Sequence, residues 1–330
     1  MGNIHGGDIY RNHVDADFSV NVNPLGIPKS VEKAMHEAVD SCMAYPDIEA
    51  EKLTEALSEM LDVPKEFFVF GNGASELFIA IVHAICPQKT VIPVPSFYGY
   101  EYAAKASGGK VIYQDGFEVL TEDVDLLFLA NPNNPTGSLL SKEHLMELLD
   151  YCMERHIYVV LDECFIEFCG EEMSMIPEIK KYKNLMIVRA FTKIFAIPGV
   201  RLGYLVCSNE ALRTKIQRQL PEWNLSCFAQ AAGCACVQEK GFVETTAAFV
   251  KKERKFLEEG LKKLGMKVFP GEANFILLYS ETDLYENLLK RGILIRDCSN
   301  YRGLESGYYR IAVKTREENE RLLEAIGEVR

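Results

Sequence analysis

Residues 126–130 read Leu126-Leu127-Phe128-Leu129-Ala130, an unbroken apolar run, followed at once by Asn131-Pro132-Asn133-Asn134-Pro135-Thr136-Gly137. A helical pattern covers 143–155, and a second apolar run, Tyr158-Val159-Val160-Leu161, ends in Asp162-Glu163. An apolar run this short, with no polar alternation, is a strand buried on both faces, and strands joined through a helix run parallel. Working outward, 67–70, 90–94, 110–113, 185–188 and 202–206 are further runs of the same kind, with helices predicted over 74–85 and 100–106. The alternation predicts an α/β fold, a mostly parallel seven-stranded sheet flanked by helices.

The two ends read differently. The first 27 residues are irregular, with turns at Gly6-Gly7 and Asn23-Pro24-Leu25-Gly26. Helices are predicted from Pro28 to about Met43, proline suiting a first turn, and over 49–61. Beyond Cys236 come a long amphipathic helix over 242–264, short strands at 266–269, 273–278, 293–295 and 308–313, and helices at 283–291 and 315–328. These patterns predict a large domain over 31–238 and a small α+β domain over 239–330, joined by the N-terminal segment 1–30. Ligands of open α/β sheets bind in the cleft at the carboxyl ends of the strands.

The 330 residues carry 36 Lys and Arg against 48 Asp and Glu, a net charge of −12, which argues against nucleic-acid binding. No apolar run approaches the ~20 residues of a membrane span, and Met1 to Arg11 lacks the pattern of a signal peptide, so a cytoplasmic location is expected. Ten cysteines include no C-x-x-C pair, so no metal site is expected. All six histidines lie at or before His156.

Four loops follow strands and carry polar residues suited to chemistry. Gly71-Asn72-Gly73-Ala74-Ser75-Glu76 opens a helix, and glycines there free backbone N–H groups to face an anion. Glu76 occupies the place of the third glycine in a dinucleotide fingerprint, which leaves a simple phosphate as the expected anion. The loop 131–137 is stiffened by two prolines and holds an amide toward its strand end. Asp162 is a carboxylate at the end of a buried strand, where it needs a partner. Phe191-Thr192-Lys193, ahead of Pro198-Gly199-Val200-Arg201, places a lysine in apolar company that lowers its pKa and suits it to Schiff-base formation.

Taken in order, Gly73, Asn134, Asp162, Lys193 and Arg201 resemble the fold-type I pyridoxal-phosphate enzymes, specifically the class I/II aminotransferase family, over nearly the whole chain. The resemblance implies an aspartate-aminotransferase-like fold with pyridoxal 5'-phosphate held covalently by Lys193, which also shuttles protons at the substrate carbon. By the same resemblance, Asp162 pairs with the pyridine nitrogen and Asn134 bonds the cofactor's 3-oxygen. Gly73, Ala74, Ser75, Thr192 and Arg201 hold the phosphate, and Phe97 stacks on the ring. Tyr45 reaches the cofactor of a neighbouring subunit, which implies a homodimer with shared sites. Arg310 clamps the carboxylate of a small amino-acid substrate, with Asn134 and Asn23 beside it. Two positions depart from the family pattern: Phe165 stands where a tyrosine is usual, and Ala190 where serine or threonine is usual.

Within the family, His5-Gly6-Gly7, Asp17-Phe18-Ser19, Asn21 to Gly26, Asp162 to Phe168 and Ile293 to Tyr301 look like the threonine-phosphate decarboxylases of cobalamin biosynthesis. Histidinol-phosphate aminotransferases share Asn23 to Gly26, Tyr45-Pro46-Asp47 and the loop at Asn134. Both act on a phosphorylated substrate, for which His5, Gly6 and Arg296 are the candidate ligands. The resemblance favours the decarboxylase, with an aminotransferase as the alternative. A non-catalytic binding protein on the same fold is the reading from another class, disfavoured because Lys193, Asp162 and Arg310 are all present.

Overall fold

The computed structural model describes residues 5–116 and 123–329. Its strands are β1 (Ala16–Asp17), β2 (Phe68–Gly71), β3 (Lys89–Val94), β4 (Lys110–Asp115), β5 (Leu126–Ala130), β6 (Tyr158–Asp162), β7 (Leu185–Ala190), β8 (Gly203–Val206), β9 (Lys267–Val268), β10 (Phe275–Tyr279), β11 (Ile293–Leu294), β12 (Arg296–Asp297) and β13 (Tyr308–Ala312). Seven of them form one sheet in the order β2-β8-β7-β6-β5-β3-β4. Only β8 runs against its neighbours in that sheet. The parallel crossovers bring the ends of β3, β5, β6 and β7 to one edge, with Ala130 opposite Asp162 and Asp162 opposite Val188.

The predicted strands buried on both faces are found as such: every residue of β5, β7 and β8 is buried. One face is covered by helices Ala74–Ile85, Tyr98–Ala106 and Glu210–Gln217, through side chains such as Leu77, Phe78, Tyr100 and Leu212 packed on Phe128 and Val160. The other face packs against helices Glu51–Leu61, Lys142–Glu154, Cys227–Gln238 and Phe242–Lys263. That second apolar cluster continues without a break into Phe275, Ile276 and Leu278 of β10. There the smaller sheet, β12-β13-β10-β9, stacks beside the first. The N-terminal strand β1 pairs in parallel with β11, so the start of the chain joins the elements near its end.

Three sequence expectations are adjusted. The helix expected over 28–43 is α-helical at Lys29–Glu37 and tightens to a 3-10 helix at Ala38–Met43, a stretch that contains Asp40 and Ser41, residue types of low helix propensity. The strand expected over 293–295 is β11 at Ile293–Leu294, paired with β1, and a separate short strand, β12 at Arg296–Asp297, follows it in a different sheet, paired with β13. Helices Glu210–Gln217 and Cys227–Gln238 were not anticipated, although each has an N-cap signal. Asn209 accepts from the amide of Leu212 at 3.1 Å, and Ser226 from that of Ala229 at 3.1 Å.

The strongest polar tie in the core joins β6 to β7. Glu163 and Arg189 are 0% and 1% exposed, and Arg189 Nε donates to Glu163 Oε2 at 3.0 Å. Ser174 Oγ and the amide of Met175 each donate to the same carboxylate at 2.7 Å, and the Arg189 fork is completed by Glu171. Removing one member leaves the other charge buried and unpaired, so Arg189→Met is expected to lower stability by about 3–5 kcal/mol. Urea unfolding measures this, and a loss below about 1 kcal/mol would show that the pair does not hold the strands.

Candidate active site

A cavity of about 250 Å³ opens at the strand ends and is lined by Ala74, Ser75, Phe97, Asn134, Asp162, Thr192, Lys193, Arg201, Arg296, Arg310, His5 and Gly6. Residues scattered over the length of the chain thus meet in one place, where loops and helix starts at the ends of the large sheet face β12 and β13 of the smaller one and the N-terminal segment. Of the three remaining predicted site residues, Gly73 stands in the turn just before Ala74, while Asn23 and Tyr45 lie outside the cavity.

At one end, Gly73 takes φ +77°, and a Cβ there would sit 2.3 Å from Arg201 Nη2. Glycine therefore lets the guanidinium lie against the turn that opens helix Ala74–Ile85, whose first amides have no helical partner. Gly203 serves the same approach, since a Cβ there would be 2.7 Å from the amide nitrogen of Ala74. Backbone amides, helix N-terminus and guanidinium together form a monophosphate-sized cradle.

Loop 131–137 spends its amides unequally. Asn131 accepts from the amide of Leu140 at 2.7 Å, and Asn133 donates to Pro95 O at 3.0 Å and to Thr136 Oγ1 at 2.9 Å. With two amides tying the loop down, Asn134 is left to face the cavity, where Arg310 Nη1 donates to its Oδ1.

Asp162 receives the Tyr100 hydroxyl at 2.5 Å on Oδ2 and the Cys164 amide at 2.9 Å on Oδ1. Burial raises its pKa while these two donors oppose the rise. Among the described residues no cation is paired with it. The salt-bridged acid at this strand end is its neighbour Glu163.

Lys193 lies on the short helix Phe191–Ile194 between buried Thr192 and Ile194, with no carboxylate paired to it among the described residues. Burial lowers its pKa from 10.5 to about 8, and the charges of Arg310 and Arg201 add to the effect. Asn23 acts from behind this helix: its amide N–H donates to Lys193 O at 3.0 Å, and its Nδ2 to Ile194 O at 2.6 Å. The structure thus puts Asn23 under the lysine rather than in the cavity.

Arg310 is 6% exposed, donates through Nη2 to Ser19 O at 2.9 Å and lies over the Phe275 ring at 5.4 Å. Arg296, 4% exposed, donates to Asn300 Oδ1 at 2.7 Å and faces the Tyr301 ring at 5.1 Å. His5 stands beside both, its ring 5.8 Å from that of Phe97, and partial burial followed by the two arginine charges lowers its pKa. The terminus holds this position because the Gly7 amide donates to Ser19 Oγ at 2.7 Å, while a Cβ on Gly6 would clash with Ser19 O at 2.3 Å.

Phe165 and Ala190, the two departures, both line the cavity, and Phe165 packs edge-on against Phe275 at 5.2 Å. Tyr45 is 81% exposed, its ring 4.9 Å from that of Trp223. Sequence reasoning missed Tyr100, Ser19 and Tyr301. Tyr100 could have been found as the residue three beyond Phe97 on the helix that follows β3. Ser19 and Tyr301 fell in stretches that carry the branch resemblance, Asp17-Phe18-Ser19 and Ile293 to Tyr301, but were given no role there.

The lowered pKa of Lys193 is testable without substrate. In cofactor-free protein, the pH dependence of acetylation at Lys193, read by peptide mass mapping, is expected to give an apparent pKa near 8. A value near 10 would mean that the amine is solvated.

The family model for aminotransferase class I and II matches residues 15–326. The threonine-phosphate decarboxylase of Salmonella typhimurium is 37% identical over 329 residues, which cover 95% of this chain and 90% of that protein. The crystal structure of histidinol-phosphate aminotransferase from Clostridium acetobutylicum superposes with a TM-score of 0.88 at 36% identity, covering 95% of this chain and 98% of that one. That of L-threonine-O-3-phosphate decarboxylase from Porphyromonas gingivalis does so with a TM-score of 0.88 at 27% identity, over the same shares of the two chains. A match of this extent, with the site assembled at the strand ends, establishes that this chain belongs to the class I and II aminotransferase family.

Proposed function

We propose that this chain is a pyridoxal-phosphate-dependent L-threonine O-3-phosphate decarboxylase. The observation that carries the reading is a second anion-binding grouping, the cations Arg296 and Arg310 with the His5 imidazole beside them, gathered in the same cavity as the Gly73–Arg201 cradle. Two anion sites in one cavity suit a phosphorylated cofactor together with a small substrate bearing both a carboxylate and a phosphate.

The residues fit pyridoxal 5'-phosphate. The amides of Ala74 and Ser75, the Gly73 turn, Thr192 and Arg201 suit its phosphate; Asn134 suits its ring oxygen; Phe97 offers an aromatic face. Asp162 is a half-buried carboxylate and Lys193 an amine, neither with a charged partner among the described residues; the first suits a protonated ring nitrogen and the second the aldehyde. When bound, this cofactor supplies an electron sink for whichever bond at the substrate's α-carbon stands perpendicular to its ring. Arg310 and Arg296 with His5 would clamp carboxylate and phosphate and so fix which bond takes that position. Gly6 would add its backbone amide, and Asn23 would act by seating the lysine helix. Lys193, with a pKa of about 8, would release and take up a proton near neutral pH at the α-carbon.

Further parts of the reading concern assembly. The division into a large domain over 31–238, a small one over 239–330 and a segment 1–30 joining the latter is supported by the pairing of β1 with β11. We place the protein in the cytoplasm as a homodimer; the dimer is supported by the exposed apolar side chains of Val39, Met43, Tyr45, Ile48 and Trp223, whose burial against a second copy would bring Tyr45 to the partner's cofactor phosphate. Among the described residues, no helix is long and apolar enough to cross a membrane. The second reading, an aminotransferase acting on histidinol phosphate, is favoured by the 36% identity to the Clostridium acetobutylicum structure.

The deciding assay supplies L-threonine O-3-phosphate to the holoenzyme and follows carbon dioxide. Release without any keto acid, lost in Lys193→Ala, is the expected result. Glutamate formation from histidinol phosphate and 2-oxoglutarate instead would replace it with the aminotransferase. Arg310→Ala is expected to raise KM by about tenfold to a hundredfold, the worth of hydrogen bonds to a charged group, while an unchanged KM would point to another carboxylate clamp.

A further inference from the structure

The Asp162 carboxylate is the least expected member of the cavity on energetic grounds. It is a half-buried acid with no cation paired to it among the described residues, and the loss of water around it would by itself drive it toward its neutral form. Tyr100 answers that cost. Its hydroxyl donates to Oδ2 at 2.5 Å, and the side chain itself is 1% exposed. The phenol ring has little freedom: it stacks on Phe128 at 5.2 Å with 12° between planes, meets Phe78 edge-on at 5.1 Å and Phe97 edge-on at 5.6 Å. A donor fixed on three sides by aromatic packing is preorganised toward one point.

We propose that Tyr100 is a positioning residue that holds the Asp162 carboxylate charged and aimed for a protonated ring nitrogen of the cofactor; this rests on the reading of Asp162 given above. Each carboxylate oxygen can accept two hydrogen bonds, so the hydroxyl on Oδ2 and the Cys164 amide on Oδ1 leave acceptor positions for a third donor. A phenol stabilises the carboxylate by donating a proton that it does not surrender, because burial and the adjacent negative charge hold the Tyr100 pKa well above its ordinary value. The other titratable groups near the pair are Cys164 on the same loop, Tyr301 from the smaller sheet's side, and Lys193, which shares the cavity. The contact also ties the acid to the aromatic wall: Phe97 lines the cavity, and Tyr100 follows it by three residues on the same helix start. A single element thereby sets both the ring face and the carboxylate.

The test is a double-mutant cycle on the holoenzyme with Tyr100→Phe, which keeps the ring and its packing, and Asp162→Asn. Cofactor dissociation constants come from equilibrium dialysis against pyridoxal 5'-phosphate, and kcat and KM from the carbon dioxide assay, or the glutamate assay if that is the active one. Tyr100→Phe is expected to weaken cofactor binding and lower kcat by about tenfold each, the size of one hydrogen bond to a charged group, with KM changed less than about twofold. In the Asp162→Asn background the same substitution is expected to change neither quantity by more than about twofold. A packing role would instead add in full in that background, and this result overturns the proposal even if Tyr100→Phe loosens the fold. No effect of Tyr100→Phe beside a clear effect of Asp162→Asn overturns it as well. If Asp162→Asn itself leaves cofactor affinity unchanged, the reading of Asp162 fails first and takes the role of Tyr100 with it.

Discussion

The ion pair of Glu163 with Arg189 is the contact on which the active-site edge depends. Glu163 directly follows Asp162, and Arg189 stands four residues before Lys193, so this one contact sets the spacing of acid and amine. Both charges are withdrawn from water, which is costly unless every lone pair and proton is met. Here Ser174 and the Met175 amide complete the carboxylate, and Glu171 completes the guanidinium. The adjoining Glu167 stays within 4.0 Å of Arg189, and burial first of all pushes its carboxyl up to about 8. A surplus of acid around one arginine is accommodated by keeping one carboxyl neutral.

Charge in the cavity opposes charge in the chain. The molecule carries a net −12, yet its cavity gathers Lys193, Arg201, Arg296 and Arg310 around Asp162, the one carboxylate among the described residues that line it. Such an arrangement draws small anions into a cleft while the acidic exterior keeps the field local. The arginines are not interchangeable within it. Arg201 lies against a glycine turn, whereas Arg310 is buried and bonded to Asn134 and Ser19 and so has a fixed direction. Arg310 Nε has no partner among the described residues, a buried donor left over on a residue assigned to an anion.

Much of this was legible beforehand because it is local. Apolar runs such as 126–130 and 158–161 declare buried strands by composition alone, and helix 74–85 was placed with its observed bounds. Glycine before a helix, paired prolines in a loop and an acid at a strand end are signals carried by neighbours in sequence. They marked the Gly73 turn, Asn134, Asp162 and Lys193, while Phe97, Arg310, Arg296 and His5 were named through the family resemblance; all of these but Gly73, which precedes Ala74, line one cavity, and Asn23 and Tyr45 do not. Asn23 escaped because its partners, Lys193, Ile194 and Thr246, lie far away along the chain, and Tyr45 because its place is on the molecular surface.

By itself, then, the sequence determined the alternation of strand and helix, the polar loop after each strand, and which residue types stand there. Pairing across the chain was left to the tertiary structure: β1 with β11, Tyr100 with Asp162, Glu163 with Arg189, and Arg310 with Ser19 and Asn134. The division has a physical reason. Backbone preference and hydrophobic period act within a few residues. The partner of a buried polar group is decided by which elements the core brings to the same edge, and that requires the whole sheet to be in place.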